Sequence, residues 1–302
     1  MVYDIVIIGG GPAGLTAGIY ARRAMMNTLL IEKIGIGGQI IITDLIENYP
    51  GFLEISGGEL ARKFEEHALK FGLESKGMVE VTGIEDRGKT KLVRTTEGDF
   101  ETRAVIVATG TTPRKLGARG ELNFIGRGVS YCATCDGFFF RDKVVVVVGG
   151  GDSAITEAIY LTKMVKKVYI VHRRDKLRAE KINQEHAIAN PKISFIWDSV
   201  VEEIAGNKTV EKIIIRNVKT NELSEIKADG VFIYVGLIPN TGFADVEKDK
   251  GGFIIANDKM ETSVRGIFAA GDCRVTPLRQ IATAVGDGAI ASVSAERYIE
   301  GL

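Results

Sequence analysis

Two cysteines separated by two residues, Cys132-Ala133-Thr134-Cys135, followed at once by Asp136-Gly137, are the first place where this chain could do chemistry. Thiols at that spacing either hold a metal ion or cycle between dithiol and disulfide. The adjoining carboxylate can serve as an acid or base, or simply turn the chain as half of an Asp-Gly pair. A zinc ribbon would need a second CxxC or a suitable pair of histidines. One other cysteine exists, Cys273, and the three histidines (67, 172 and 186) are far apart in sequence, so no metal is expected. Two inert buried thiols and a redox pair both remain open. Cys273 is most economically a small buried residue behind a glycine turn.

Phosphate-binding chemistry is written twice. Ile5-Val6-Ile7-Ile8 is a short apolar run that closes on Gly9-Gly10-Gly11, and a helical pattern follows from Pro12 to about Met25, then a strand at Thr28 to Glu32. The same unit recurs 140 residues later: Val144 to Val148, Gly149-Gly150-Gly151, a helix from Ser153 to about Met164, and a strand from Val168 to His172. Residues 9–20 and 149–160 are identical at six of twelve positions. Two glycine turns, each after a strand and before a helix, satisfy the context that a lone GxGxxG lacks. The first glycine turns the chain and the second lets the backbone reach a pyrophosphate. The third, Gly14, with Ala154 as its counterpart, lets helix pack on strand. The helix N-terminus supplies N–H donors and a positive dipole end.

The residue ending the second strand separates the two sites. Glu32, eighteen residues after Gly14, suits the ribose hydroxyls of an adenosine. His172 occupies the same slot in the second unit and opens the basic run Arg173-Arg174-Asp175-Lys176-Leu177-Arg178. A carboxylate would repel a 2′-phosphate and arginines would clamp it, so the second nucleotide is expected to be NADPH and the first FAD. A thiol pair beside a flavin suits electron relay. Ala108-Thr109-Gly110 and Gly271-Asp272 end two further apolar strands, and Asp272 there could bond a cofactor hydroxyl.

These elements need a scaffold to hold them, and the composition supplies one. The 302 residues are long enough for about two domains, and glycine, at 36, is well above its usual share. Lys and Arg balance Asp and Glu at 39 each, which argues against nucleic-acid or anionic-membrane binding and leaves room for a local basic patch. No apolar run approaches the ~20 residues of a membrane span, and no basic segment precedes the first strand, so a cytoplasmic protein without membrane attachment is expected. The fold class is α/β.

With Gly9-Gly-Gly-Pro-Ala-Gly14, Cys-Ala-Thr-Cys-Asp-Gly (132–137), Gly149-Gly-Gly-Asp-Ser-Ala154, His172-Arg-Arg-Asp175, Gly271-Asp272 and Arg279-Gln280 together, the chain resembles the low-molecular-weight thioredoxin reductases over essentially its whole length. The resemblance implies two dinucleotide-binding Rossmann-like domains, the NADPH domain (116–243) inserted into an FAD domain made of residues 1–115 and 244–302. Pro113 to Gly117 and Pro239 to Phe243 would be the hinges. It implies a homodimer and a disulfide in thioredoxin as substrate. Cys135 would face the flavin, Cys132 would exchange with thioredoxin, and Asp136 would donate the proton. Gly9, Gly11, Pro12, Ala13, Gly14 and Glu32 would line FAD. So would Gly38, Gln39, Asn48, Ala108, Thr109, Gly110, Gly271, Asp272, Arg279, Gln280 and Ile281. Gly149, Gly151, Asp152, Ser153, Ala154, His172, Arg173, Arg174 and Arg178 would hold NADPH. Nicotinamide and cysteine pair must both reach the ring, so the resemblance implies a domain rotation. Ala118-Arg119-Gly120-Glu121 departs from the family's usual Pro-Glu near the hinge. Alternatives are a reductase of another thioredoxin-like or peroxiredoxin-linked carrier, or a flavin-binding redox sensor without turnover; ferredoxin-reducing relatives lack the CxxC.

Overall fold

The computed structural model describes residues 2–43 and 46–301. The chain divides into two compact units, Met1–Thr112 with Ile238–Leu302, and Pro113–Leu237. The crossings fall a few residues ahead of 115/116 and 243/244. There two short strands, Thr111–Pro113 and Leu237–Pro239, pair with each other.

The first unit is built on a sheet whose parallel part starts with β1 (Val2–Ile8), β2 (Thr28–Ile31) and β3 (Glu74–Lys76). An antiparallel meander follows: β4 (Val81–Asp86), β5 (Lys91–Thr95) and β6 (Gly98–Val107). The order is β3-β2-β1-β6-β5-β4. On its edge away from β1, the ten-residue β6 serves two neighbours, antiparallel β5 through its first half and the parallel strand Ile267–Ala269 through its second. Period-two alternation sends Ile5 and Ile7 of β1 to one core and Val6 and Ile8 to the other. Helices α1 (Pro12–Arg23), α2 (Gly57–Lys70) and the C-terminal helix Ile281–Glu300 supply the first of those cores. A side chain at Gly288 would sit 2.1 Å from the Ala13 carbonyl oxygen, so only glycine lets the C-terminal helix close on α1.

Helix α1 ends at Arg23, ahead of Met25. Met25 adopts φ 60°, and the Met26 N–H reaches back to Ala21 O at 3.0 Å while the Met25 N–H bonds Arg22 O at 3.1 Å. That is a Schellman closure made without glycine.

The second unit repeats the plan. Its parallel sheet runs 193–196, 167–171, 144–148, 230–233, 129–130 in space. Val145 and Val147 of the central strand pack with helices Asp152–Leu161 and Lys181–Ala189 on one face. Val146 and Val148 pack on the other against an antiparallel sheet of Ser199–Gly206, Val210–Asn217 and Leu223–Lys227. In both units the second strand stops one residue early, at Ile31 and Val171, so Glu32 and His172 emerge beyond the carboxyl edge. That edge, at the point where strand order reverses, is where doubly wound sheets bind ligands.

Candidate active site

Cys132 and Cys135 are joined as a disulfide around the one-turn helix Ala133–Asp136. Cys132 is the N-cap, in extended conformation, and its Sγ accepts the Cys135 N–H at 3.1 Å. Three further backbone donors of the turn have defined acceptors. The Cys132 N–H goes to Ser130 Oγ at 3.0 Å, the Ala133 N–H to the Tyr234 hydroxyl at 2.9 Å, and the Asp136 N–H to Cys132 O at 3.2 Å. The Ser130 hydroxyl donates to Asp136 Oδ2 at 2.6 Å, which fixes the carboxylate beside the disulfide. Cys135 is exposed, as are Phe138 and Phe139 just beyond it. A cavity of about 310 Å³ opens alongside, lined in part by Ser130, Asp136, Phe139, Arg127 and Lys143. The turn therefore offers a disulfide, a positioned acid group and apolar surface in one place.

In the same unit the basic turn is docked on the glycine turn. The Arg178 N–H bonds Gly150 O at 2.7 Å, and the Glu180 N–H bonds Asp152 Oδ1 at 2.7 Å. The His172 ring lies over Gly150 so closely that a Cβ there would come within 2.5 Å of it. His172 Nε2 meets Lys176 O at 3.0 Å, which makes it a donor and fixes the neutral tautomer. Burial, and then Arg178, Arg174 and Arg173, hold its pKa below the ordinary histidine value. His172 thus braces the turn from inside, while Arg173, Arg174 and Arg178 are exposed. Among the described residues none of the three guanidinium groups has a carboxylate partner. The helix that starts here has Gly151 as N-cap and no side-chain cap, so its first N–H groups face outward, and nothing lies within 4 Å of where a Gly151 Cβ would be. A dinucleotide with a 2′-phosphate fits this cradle.

The first unit has the acidic version. Glu32 accepts the Gly10 N–H at 2.7 Å and the Ile34 N–H at 2.8 Å, so it shapes the glycine turn and still has lone pairs for ribose hydroxyls. Helix α1 starts at Gly11, Pro12 and Ala13 without a side-chain cap, and Gly14 packs on Gly9 O, where a Cβ would lie at 1.9 Å. Gly38 stands against Gly11, and the neighbouring Gln39 donates to Thr111. Asn48 Nδ2 reaches Gln280 Oε1 at 3.2 Å, and Gln280 caps the helix that begins at Ile281. Arg279 lies 4.1 Å over the Phe253 ring and donates to Asp272 O at 3.3 Å. The Asp272 carboxyl has no hydrogen-bond donor among the described residues, and burial raises its pKa against the opposing pull of Arg279. A half-buried carboxyl of this kind is one that a cofactor hydroxyl could bond. Cys273 is fully buried, donates to Val107 O and Ala270 O, and has its thiol pushed up to about 11 by burial, so it is a structural residue.

Comparison with known proteins accords with this geometry. The description of the pyridine nucleotide-disulphide oxidoreductases matches residues 3–288. The chain belongs to that family. It is 49% identical over 308 residues to the thioredoxin reductase of Bacillus subtilis, covering 100% of this chain and 96% of that one. It is 47% identical to the thioredoxin reductase of Peptoclostridium acidaminophilum, covering 99% and 98%. The crystal structure of Lactococcus lactis thioredoxin reductase is similar at a TM-score of 0.97 and 49% identity, covering 99% of this chain and 100% of that one.

Several residues that hold this oxidoreductase's site together carry no motif of their own. Ser130 and Tyr234 grip the redox turn. Asn240 takes the Thr109 hydroxyl on its carbonyl at 2.6 Å and returns its amide to Thr109 O at 3.0 Å. Asp287 pairs with Arg274 at 2.6 Å and accepts the Gly271 N–H at 3.0 Å, which sets the turn carrying Asp272. The one sequence signal among them is Asp287, an acid placed between two glycines on an otherwise small-residue helix.

Proposed function

We propose that this chain is an NADPH-dependent flavoprotein that reduces the disulfide of thioredoxin through the Cys132–Cys135 pair. The observation that carries this reading is a surface disulfide in the same unit as an arginine-flanked glycine turn, in a chain whose other unit has a glycine turn with an acidic partner. The protein is an oxidoreductase and uses FAD and NADPH. Glu32, Asp272 and the α1 N-terminus would hold FAD; Arg173, Arg174, Arg178 and the helix beginning at Asp152 would hold NADPH. Bound there, FAD would supply the two-electron relay between NADPH and the cysteine pair.

From there the chain's own residues act. The Cys132 thiolate, supported by the Cys135 N–H, attacks one sulfur of the substrate disulfide; a mixed disulfide forms and a substrate thiolate leaves. Asp136, held by Ser130, protonates that leaving thiolate. The Cys135 thiolate then attacks Cys132 Sγ, which releases the second substrate sulfur and restores the Cys132–Cys135 bond. Exposed Phe138 and Phe139 give a protein substrate apolar surface beside the disulfide. The proposal includes a homodimer, for which exposed Ile41, Ile42 and Leu53 on the first unit offer apolar surface, and a place in the cytoplasm. Sedimentation of the flavoprotein tests the dimer.

The deciding experiment is Cys135→Ser. NADPH should still bleach the flavin of this variant, and NADPH-driven reduction of thioredoxin should fall to background. Retained thioredoxin reduction would exclude the mechanism.

A further inference from the structure

The strand Val129–Ser130 lies parallel to Gly230–Ile233, with Phe232 opposite Ser130. Both strands therefore end at the same edge of the sheet, and each delivers a hydroxyl there. Ser130 comes from the strand that runs directly into Cys132. Tyr234 comes from just past the end of its neighbour, 101 residues further along the chain than Ala133. Ala133 is fully buried, so water cannot replace the tyrosine as acceptor for its N–H. Burial, and then the charges of Glu157 and Asp136, push the Tyr234 phenol above the ordinary tyrosine range, so the group at this position is the neutral hydroxyl.

Given the proposed function, on which this inference rests, we infer that Tyr234 is a positioning residue that sets the redox balance of the Cys132–Cys135 pair by holding the Ala133 N–H. The disulfide closes a ring around Ala133 and Thr134, so the oxidised turn has little freedom to find another acceptor. The dithiol has no such closure and can relax. Removing the hydroxyl therefore penalises the disulfide more than the dithiol. The equilibrium concerned exchanges two electrons and two protons: enzyme disulfide plus reduced dithiothreitol gives enzyme dithiol plus cyclic oxidised dithiothreitol.

The test is Tyr234→Phe in the flavin-loaded enzyme, equilibrated without oxygen across dithiothreitol redox buffers, acid-quenched and alkylated, with Cys132 and Cys135 quantified by mass spectrometry. The equilibrium should move toward the dithiol by about fivefold, or about 20 mV for a two-electron couple. A shift of twofold or less, or one toward the disulfide, overturns the inference, as does a variant that only loses thermal stability. A second measurement needs no variant. In wild-type enzyme the Ala133 amide should exchange its hydrogen more slowly in the disulfide than in the dithiol form, and equal protection overturns the inference. Neither readout uses NADPH or thioredoxin. Failure of the functional reading registers separately, as absence of NADPH-driven thioredoxin reduction by the wild type.

Discussion

Neutralising Arg173 and Arg174 together should convert a discriminating nucleotide site into an indifferent one. Their guanidinium groups are exposed and lack carboxylate partners among the described residues, so substitution by glutamine removes charge without stranding a buried partner. A charge-assisted hydrogen bond to phosphate is worth roughly 1.5–3 kcal/mol, and exposure argues for the low end. At about 1.4 kcal/mol per tenfold, each arginine then accounts for roughly a tenfold change, and the double variant should raise KM for NADPH about 30- to 100-fold. The 2′-phosphate is remote from the transferred hydride, so kcat should hold. NADH has no such phosphate, and its KM should stay within about twofold. The assay is steady-state NADPH or NADH oxidation with saturating thioredoxin at two ionic strengths; the wild-type KM for NADPH should climb with salt and the variant's should climb less. An equal loss for NADH would refute the reasoning, because it would mean that the arginines shape the turn. The turn is held instead by the Arg178 N–H on Gly150 O and by the His172 ring, neither of which these substitutions touch.

Two further outcomes are expected. His172 is neutral in the fold because burial depresses its pKa from 6.5. Its contribution to stability is intact above pH 6.5 and is lost as pH falls from there through the folded value, since the unfolded chain takes up the proton first. Calorimetry should show Tm falling over that window, and His172→Asn should flatten the fall; an unchanged slope would count against the buried-neutral assignment. Asp287→Ala leaves Arg274 half-buried and unpaired and the Gly271 N–H without its acceptor, a change of the kind that costs about 3–5 kcal/mol in buried pairs. Tm should drop, and FAD titrated into stripped protein should bind at least about tenfold more weakly; an unaltered FAD affinity would detach the pair from the Asp272 turn.

What was legible in the sequence is what the chain encodes locally. Glycine turn, helix start and apolar strand are contiguous, so Gly9 to Gly14 and Gly149 to Ala154 could be read without knowing what surrounds them. The acidic or basic residue at the end of the next strand follows at fixed spacing because one helix and one strand have a fixed length. The thiol pair is local too. Helix ends were less legible: α1 stops two residues short of Met25 because Met25 itself adopts the left-handed conformation usually left to glycine. The chain crossings carry short paired strands, a pairing that no local motif announces.

Three of the residues that were not legible act by a hydrogen bond to a group on a different element of the chain. Tyr234 serves Ala133 across 101 residues, Asn240 serves Thr109 across 131, and Asp287 crosses from a helix to the turn at Gly271. A tyrosine after a buried strand is, by composition, an ordinary half-buried aromatic. Its role exists only once parallel pairing has brought the ends of 129–130 and 230–233 to the same edge. His172 shows the converse. The resemblance groups it with the arginines around the nucleotide, and its ring lies on Gly150 with Nε2 on Lys176 O. In the proposed NADPH site the charge toward the phosphate would come from the arginines, and the histidine would hold the backbone from which they project.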